Sequence, residues 1–145
     1  MRRPALLLLA VSALPLCAMR AQTAADSAAI IATSKAYIDA IWENDSVRMR
    51  QTLHPDLAKR QVRTPANGGA SVLSELTAEQ MVTSAGRNQG QPAPATRQGD
   101  IRILHAFGNM ATVMIDAGMW VDYMHLAKWN GEYKIFNILF DFRRR

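Results

Sequence analysis

Cysteine is nearly absent from this chain. Its 145 residues contain one cysteine, Cys17, near the N-terminus. If that segment is removed by processing, the remaining chain can form no internal disulfide and perform no thiol chemistry. We therefore expect a fold that is held together by packing alone, and a function that uses no cysteine nucleophile.

The chain also lacks an apolar run long enough to cross a membrane as a helix. The N-terminal apolar run, residues 6–16, is much shorter than the roughly 20 residues that such a helix needs. It follows Arg2 and Arg3 and precedes small residues, which is the three-part pattern of a secretory signal peptide. We predict a signal peptide over residues 1–21 and a secreted or periplasmic protein cleaved after Ala21.

Two alternatives concern the same segment. Cleavage after Ala18 also fits the pattern of small residues. Lipid anchoring at Cys17 is the other alternative, but Leu16 stands where a bacterial lipobox has a small residue. On each of these readings the rest of the chain, residues 22–145 after the preferred cleavage, is long enough for one domain with one core.

After removal of residues 1–21, the chain also lacks a large excess of either positive or negative side chains. Loss of Arg2, Arg3 and Arg20 lowers Lys plus Arg from 17 to 14 against 12 Asp plus Glu, so the formal net charge falls from +5 to +2. Three of the remaining positive charges form the tail, residues 143–145. Without a basic stripe through the body of the chain, we expect no nucleic-acid partner.

Several sequence motifs of catalysis are missing. The chain has no G-x-S-x-G nucleophile motif and no glycine-rich loop followed by Lys-Ser or Lys-Thr. His54, His105 and His125 have no short metal-ligand spacing, so we expect no metal, and nothing indicates another cofactor.

Helical patterns dominate the first part of the chain. Residues 23–45 begin with a Thr23–Asp26 capping box and end at Asn44-Asp45. Their apolar face has helical spacing and comprises Ile30, Ser34, Tyr37, Ile38, Ile41 and Trp42. A short second helix, residues 46–54, ends before Pro55 because the residue before proline is disfavoured in the α conformation.

The middle of the chain alternates between extended and loop patterns. Residues 57–62 are interpreted as a short strand or an extended connector, and residues 63–71 as a loop because they are rich in Gly, Asn and Pro. A Thr77–Gln80 capping box starts a third helix that is predicted to reach about Asn88.

From residue 100 the hydrophobic period becomes that of strands. We predict a strand that turns at Gly108-Asn109, then one long extended run over residues 110–129 with a bulge or bend at Gly118. Asn130-Gly131 is typical of a two-residue hairpin turn and leads into the last strand, residues 132–142. Helices followed by an antiparallel meander indicate an α+β fold.

The hairpin turn fixes a register for the last two strands. It places Phe136 opposite His125 and Leu139 opposite Asp122, so that Asp122 and Asn137 project from the same face. Both faces of this hairpin carry large apolar side chains, whereas an antiparallel sheet usually has one wet face. We expect the helices to cover one face and a second subunit to cover the other, giving a homodimer.

The chain resembles the putative lumazine-binding family of the nuclear transport factor 2-like (NTF2-like) superfamily. The similar stretches are "AYIDAIWENDSVRMRQTLHPDLAKR", "ELTAEQMV", "GNMATVMI" and "WVDYMHLAKWNGEYKIFNIL". The resemblance implies a cone, in which N-terminal helices pack on a strongly curved antiparallel sheet. It implies no particular reaction, because the superfamily includes enzymes, transport factors and domains with no known ligand.

The mouth of such a cone is the expected pocket. Asp122 and Asn137 are the polar candidates in it, and Tyr37, Trp42 and Trp120 are candidates for an aromatic wall against a planar ligand. His54 is interpreted either as a brace at the corner after the second helix or as a residue of the pocket mouth. Each of these residues also has an ordinary structural interpretation, as a satisfied polar group or a core aromatic.

Three functions remain open at this point. We expect a binding protein that holds a small apolar or aromatic molecule in its cone, rather than an enzyme. The first alternative is an isomerase or dehydratase in which Asp122 is the acid/base and Tyr37 or His54 polarises a carbonyl group. The second is a structural domain with a filled cone.

Overall fold

The computed structural model describes residues 23–87 and 97–143. The predicted signal peptide, its cleavage site and Cys17 lie outside the described residues. No helix within the two described ranges is long and apolar enough to span a membrane.

Three helices form one layer: α1 (Ala24–Glu43), α2 (Ser46–Thr52) and α3 (Ala78–Ala85). The Thr23–Asp26 capping box is present, and Asn44 ends α1 in the left-handed conformation. The Thr77–Gln80 capping box is also present, but α3 ends at Ala85 and not near residue 88 as predicted.

Six strands form a curved, open sheet in the order β2-β1-β6-β5-β4-β3. Their bounds are β1 (Leu53–Arg63), β2 (Val72–Thr77), β3 (Asp100–Phe107), β4 (Met110–Asp116), β5 (Trp120–Trp129) and β6 (Glu132–Phe142). The predicted α+β cone is confirmed. One neighbouring pair, β1 with β6, is parallel, and the other four are antiparallel.

One predicted segment was wrong, and one strand was missed. Residues 110–129 do not form one extended run, because Gly118 has φ of +76° and reverses the chain between β4 and β5. The Asp116 carboxylate stabilises this turn by accepting the Gly118 backbone N–H at 2.9 Å. Strand β2 was not predicted at all, although it pairs with β1 along its whole length.

The predicted hairpin register holds only near the turn. Trp129 lies opposite Glu132 and Leu126 opposite Ile135, as predicted, but a bulge then places Asn137 opposite His125. The extra residue, Phe136, moves every later β6 side chain to the other face of the sheet. The prediction that Asp122 and Asn137 share a face is therefore wrong.

The helices cover one face of the sheet, which we call the inner face. Here α1 buries Ile30, Tyr37 and Ile38 against side chains of the central strands. Those strand residues alternate along the chain, as Met124 and Leu126 do on β5, and are fully or almost fully buried. The opposite or outer face carries exposed Tyr123 and Leu139.

Candidate functional site

Four buried side chains meet on the inner face and form what we call the polar cluster: Tyr37, Lys59, Trp120 and Asp122. Lys59 Nζ lies 2.8 Å from Asp122 Oδ1 and donates a second hydrogen bond to Tyr37 OH, also at 2.8 Å. Asp122 Oδ2 accepts from Tyr37 OH at 3.2 Å and from Trp120 Nε1 at 2.9 Å. The cluster thus contains a complete ion pair and two neutral hydrogen-bond donors.

The helical period of α1 and the two-residue period of β1 and β5 bring these side chains together. Lys59 points inward because it lies two residues from the buried Leu57 on β1, and Trp120 and Asp122 are likewise two residues apart on β5. Tyr37 lies in the middle of α1, on the helix face that packs against the sheet. Residues from one helix and two strands therefore converge on a single point.

Burial determines the electrostatics of the cluster. Asp122 is 0% exposed and Lys59 is 5% exposed, so each charge depends on the other for its stabilisation. Burial raises the pKa of the Tyr37 phenol well above its usual value, and the Asp122 carboxylate raises it further. Tyr37 therefore stays protonated and keeps donating to Asp122.

A cavity of about 220 Å³ lies beside the cluster, and we call it the cone cavity. Its lining comes from all three helices and from four strands, and comprises Ile41, Met49, Lys59, Leu76, Met81, Ser84, Ala85, Trp120, Phe140 and Phe142. Eight of these ten side chains are apolar. Lys59 and Trp120 are the members of the polar cluster that reach the cavity, while Tyr37 and Asp122 lie behind them.

Three of the six predicted site residues, Tyr37, Trp120 and Asp122, belong to the polar cluster. A fourth, Trp42, contacts Trp120 with a distance of 5.0 Å between the ring centroids. Its indole Nε1 donates to the backbone oxygen of Gln98 at 3.2 Å. The aromatic residues that were predicted from α1 and β5 thus do lie together.

The remaining two predicted residues lie elsewhere. Asn137 is on the outer face, where its Oδ1 accepts from Arg60 at 3.1 Å and its Nδ2 lies 3.3 Å from His125 Nδ1. His54 stacks on Phe136 with 4.1 Å between the ring centroids. Neither His54 nor Asn137 lines the cone cavity, and His54 has the contacts of a brace.

Sequence reasoning missed Lys59, the one cation of the cluster. The sequence predicts a short strand or an extended connector over residues 57–62, and a lysine before Arg60 and Gln61 is typical of a solvated surface. The available signal was the spacing of two between Leu57 and Lys59, which places both on one face of a strand. That spacing becomes informative only once the strand itself is established.

The part of the chain that the structure describes contains no group of three or more His, Cys, Asp or Glu side chains arranged to hold a metal ion. Both carboxylate oxygens of Asp122 also accept hydrogen bonds within the polar cluster. What this arrangement can do chemically is to hold a buried, charged lysine at the wall of a mostly apolar cavity.

Solved structures place the fold in the NTF2-like class. An NTF2-like protein of unknown function from Silicibacter pomeroyi DSS-3 is 17% identical, with a TM-score of 0.63 over 85% of this chain and 100% of that one. Another from Shewanella baltica OS155 is 16% identical, with a TM-score of 0.64 over 87% and 100%. At these identities the likeness shows the fold alone.

The model of one family, described as putative lumazine-binding, matches residues 25–141, and the chain belongs to that family. No curated protein matches the chain. A putative Ca/calmodulin-dependent kinase II association domain from Exiguobacterium sibiricum 255-15 has the same fold. It is 12% identical, with a TM-score of 0.56 over 87% of this chain and 99% of that one.

Proposed function

We propose that this protein binds a small, planar or apolar molecule in the cone cavity. The observation that carries the proposal is a cavity of about 220 Å³ that is lined by eight apolar side chains, Ser84 and the buried Lys59. Ligand sites combine an apolar lining with a few well-placed polar groups in this way. The description of the family as putative lumazine-binding agrees with a planar heterocycle as the ligand.

The state of Asp122 favours binding over acid–base catalysis. Its carboxylate is fully buried, accepts three hydrogen bonds and does not line the cone cavity. A general acid or base must come within hydrogen-bond reach of the substrate. The cavity, in turn, favours binding over a structural domain whose cone is filled.

Native mass spectrometry of the protein purified from its own host tests the proposal. We expect an added mass that leaves on unfolding, and a rise in the melting temperature with lumazine or another planar heterocycle. The variant Ala85→Phe fills the cavity from α3 and should lose this thermal shift. Val47→Phe, on the exposed surface of α2, should retain it. No adduct and no shift with any heterocycle would contradict binding, as would an unchanged shift in Ala85→Phe.

We also propose that the protein is a homodimer, formed through the outer face. Leu139, Tyr123 and Met114 are cross-strand neighbours there and form an apolar row across β6, β5 and β4. Arg60 and Arg102 flank this row and are paired with acidic side chains of the outer face. An apolar centre with a polar rim is the usual composition of a subunit interface.

Export is the third part of the proposal, and it depends on the sequence of residues 1–21. A signal peptide predicts that the mature protein begins at Gln22 and fractionates with the cell envelope or the medium. N-terminal sequencing of the protein from its host checks this. An uncleaved chain in the cytoplasm would contradict it.

A further inference from the structure

Lys59 has one hydrogen-bond donor more than the polar cluster uses. A lysine ammonium has three N–H groups, and those of Lys59 donate to Asp122 Oδ1 and to Tyr37 OH. Among the described residues, no oxygen or nitrogen atom accepts the third. The ammonium lies 4.4 Å from the centroid of the Phe140 ring, which itself lines the cone cavity.

A ligand in the cavity can engage only this third N–H of Lys59, because the acceptors of the other two do not line the cavity. Asp122 and Tyr37 lie behind Lys59 and do not line the cavity, whereas Lys59 does. Because the three N–H bonds of an ammonium group diverge, the third N–H is left with only the ring of Phe140 beside it, a contact that a ligand acceptor in the cavity would replace. The cone cavity therefore has a buried, charged lysine in a wall whose other residues, apart from Ser84, are apolar.

The charge of the cluster limits which ligands can bind to this N–H donor. Lys59 and Asp122 carry opposite charges 2.8 Å apart, so the pair as a whole has no net charge. An anionic ligand would leave the site with an uncompensated negative charge in apolar surroundings, which is costly. An uncharged acceptor satisfies the third N–H without that cost.

On the basis of the proposed binding function, we propose that the cone selects uncharged planar molecules that carry a carbonyl oxygen or ring nitrogen, which accepts the third Lys59 N–H. The cavity volume of about 220 Å³ suits one or two fused rings, since sites for drug-sized ligands start at about 300 Å³. Lys59 thus sets specificity, and Asp122 holds it in position.

Three probes of nearly equal shape test this inference: 2-acetylnaphthalene, 2-ethylnaphthalene and 2-naphthoate. They differ in having a neutral carbonyl, no acceptor and a carboxylate, respectively. Calorimetric titration should give the ketone a Kd about tenfold lower than that of the ethyl compound, as expected for one charge-assisted hydrogen bond. The carboxylate should bind more weakly than the ketone.

The variant Lys59→Met removes the donor and should abolish the preference for the ketone over the ethyl compound. Because it leaves Asp122 unpaired, the double variant Lys59→Met, Asp122→Asn is measured beside it, with circular dichroism to verify folding. If neither variant folds, the affinities of the three probes for the wild-type protein still decide whether the third N–H of Lys59 selects the ketone.

The outcomes separate this inference from the proposed function. Equal binding of ketone and ethyl compound would overturn the role of the third N–H and leave the binding function standing. Tightest binding of the carboxylate would overturn the argument from charge. Failure of all three probes, together with the absence of a native adduct, would overturn the binding function itself.

Discussion

At the scale of single residues, the Lys59–Asp122 pair has the strongest consequences for stability. Removal of one partner leaves a buried charge with no counter-charge, which typically costs about 3–5 kcal/mol of unfolding free energy. The chain offers a matched comparison in Lys35–Asp39, an i,i+4 pair whose side chains are 65% and 28% exposed. Exposed pairs of that kind contribute about 1 kcal/mol or less.

We therefore predict that Lys59→Met lowers the unfolding free energy by several kcal/mol, whereas Lys35→Met lowers it by about 1 kcal/mol or less. Urea denaturation of both variants measures the difference. The double variant Lys59→Met, Asp122→Asn should recover part of the loss, because no unpaired charge remains. Equal effects of the two single variants would show that the buried pair is not essential to the core.

The same residues show what the sequence could predict about the site. Tyr37, Trp120 and Asp122 were found because the helical period of α1 and the alternation along β5 each place them toward the core. Lys59 was missed because its partner lies 63 residues away in the sequence. No local pattern distinguishes a lysine that will pair with a buried carboxylate from one on a solvated face.

At the scale of elements, the turn between β4 and β5 depends on Gly118. Its φ of +76° lies in the left-handed region, and a Cβ there would lie 2.2 Å from Gln98 Oε1 and 2.9 Å from Gln98 Cδ. Gly108, in the turn between β3 and β4, has a similar φ of +56° but no atom within 4 Å of such a Cβ. The two glycines thus differ in crowding and not in backbone conformation.

We predict that Gly108→Ala destabilises the protein by about 1–2 kcal/mol, the cost of a left-handed alanine. Gly118→Ala should cost about 1–3 kcal/mol more, because the Gln98 side chain must also move. Thermal unfolding of the two variants provides the comparison. Equal melting temperatures would mean that Gln98 relaxes freely and that crowding at this turn is unimportant.

Elements were predicted well where the local signal was strong. The capping boxes and the Asn130-Gly131 turn are chemical signals confined to a few residues, and all three are confirmed. The β6 bulge is different, because Phe136 leaves the regular register where it stacks on His54 from another strand. A long-range contact of this kind is not encoded in the pattern of the hairpin.

At the scale of the whole molecule, the unpartnered outer face needs an explanation. Tyr123 and Leu139 lie opposite each other on adjacent strands and are 48% and 51% exposed, although both are large and apolar. Isolated apolar residues on a surface are ordinary, but a continuous row across several strands indicates an interface. A closed, two-fold dimer would bury the row of one protomer against the same row of its partner.

We predict that Tyr123→Glu converts a dimer to a monomer, because two-fold symmetry brings both introduced carboxylates to the same interface. Tyr123 points away from the core, so the fold should persist, which circular dichroism verifies. Val47→Glu is the matched control, since Val47 is 66% exposed on α2 and lies outside the outer face. Sedimentation velocity over a range of concentrations should show a dimer for the wild type and for Val47→Glu. A monomeric wild type at every concentration would mean that another partner, or solvent alone, covers the row.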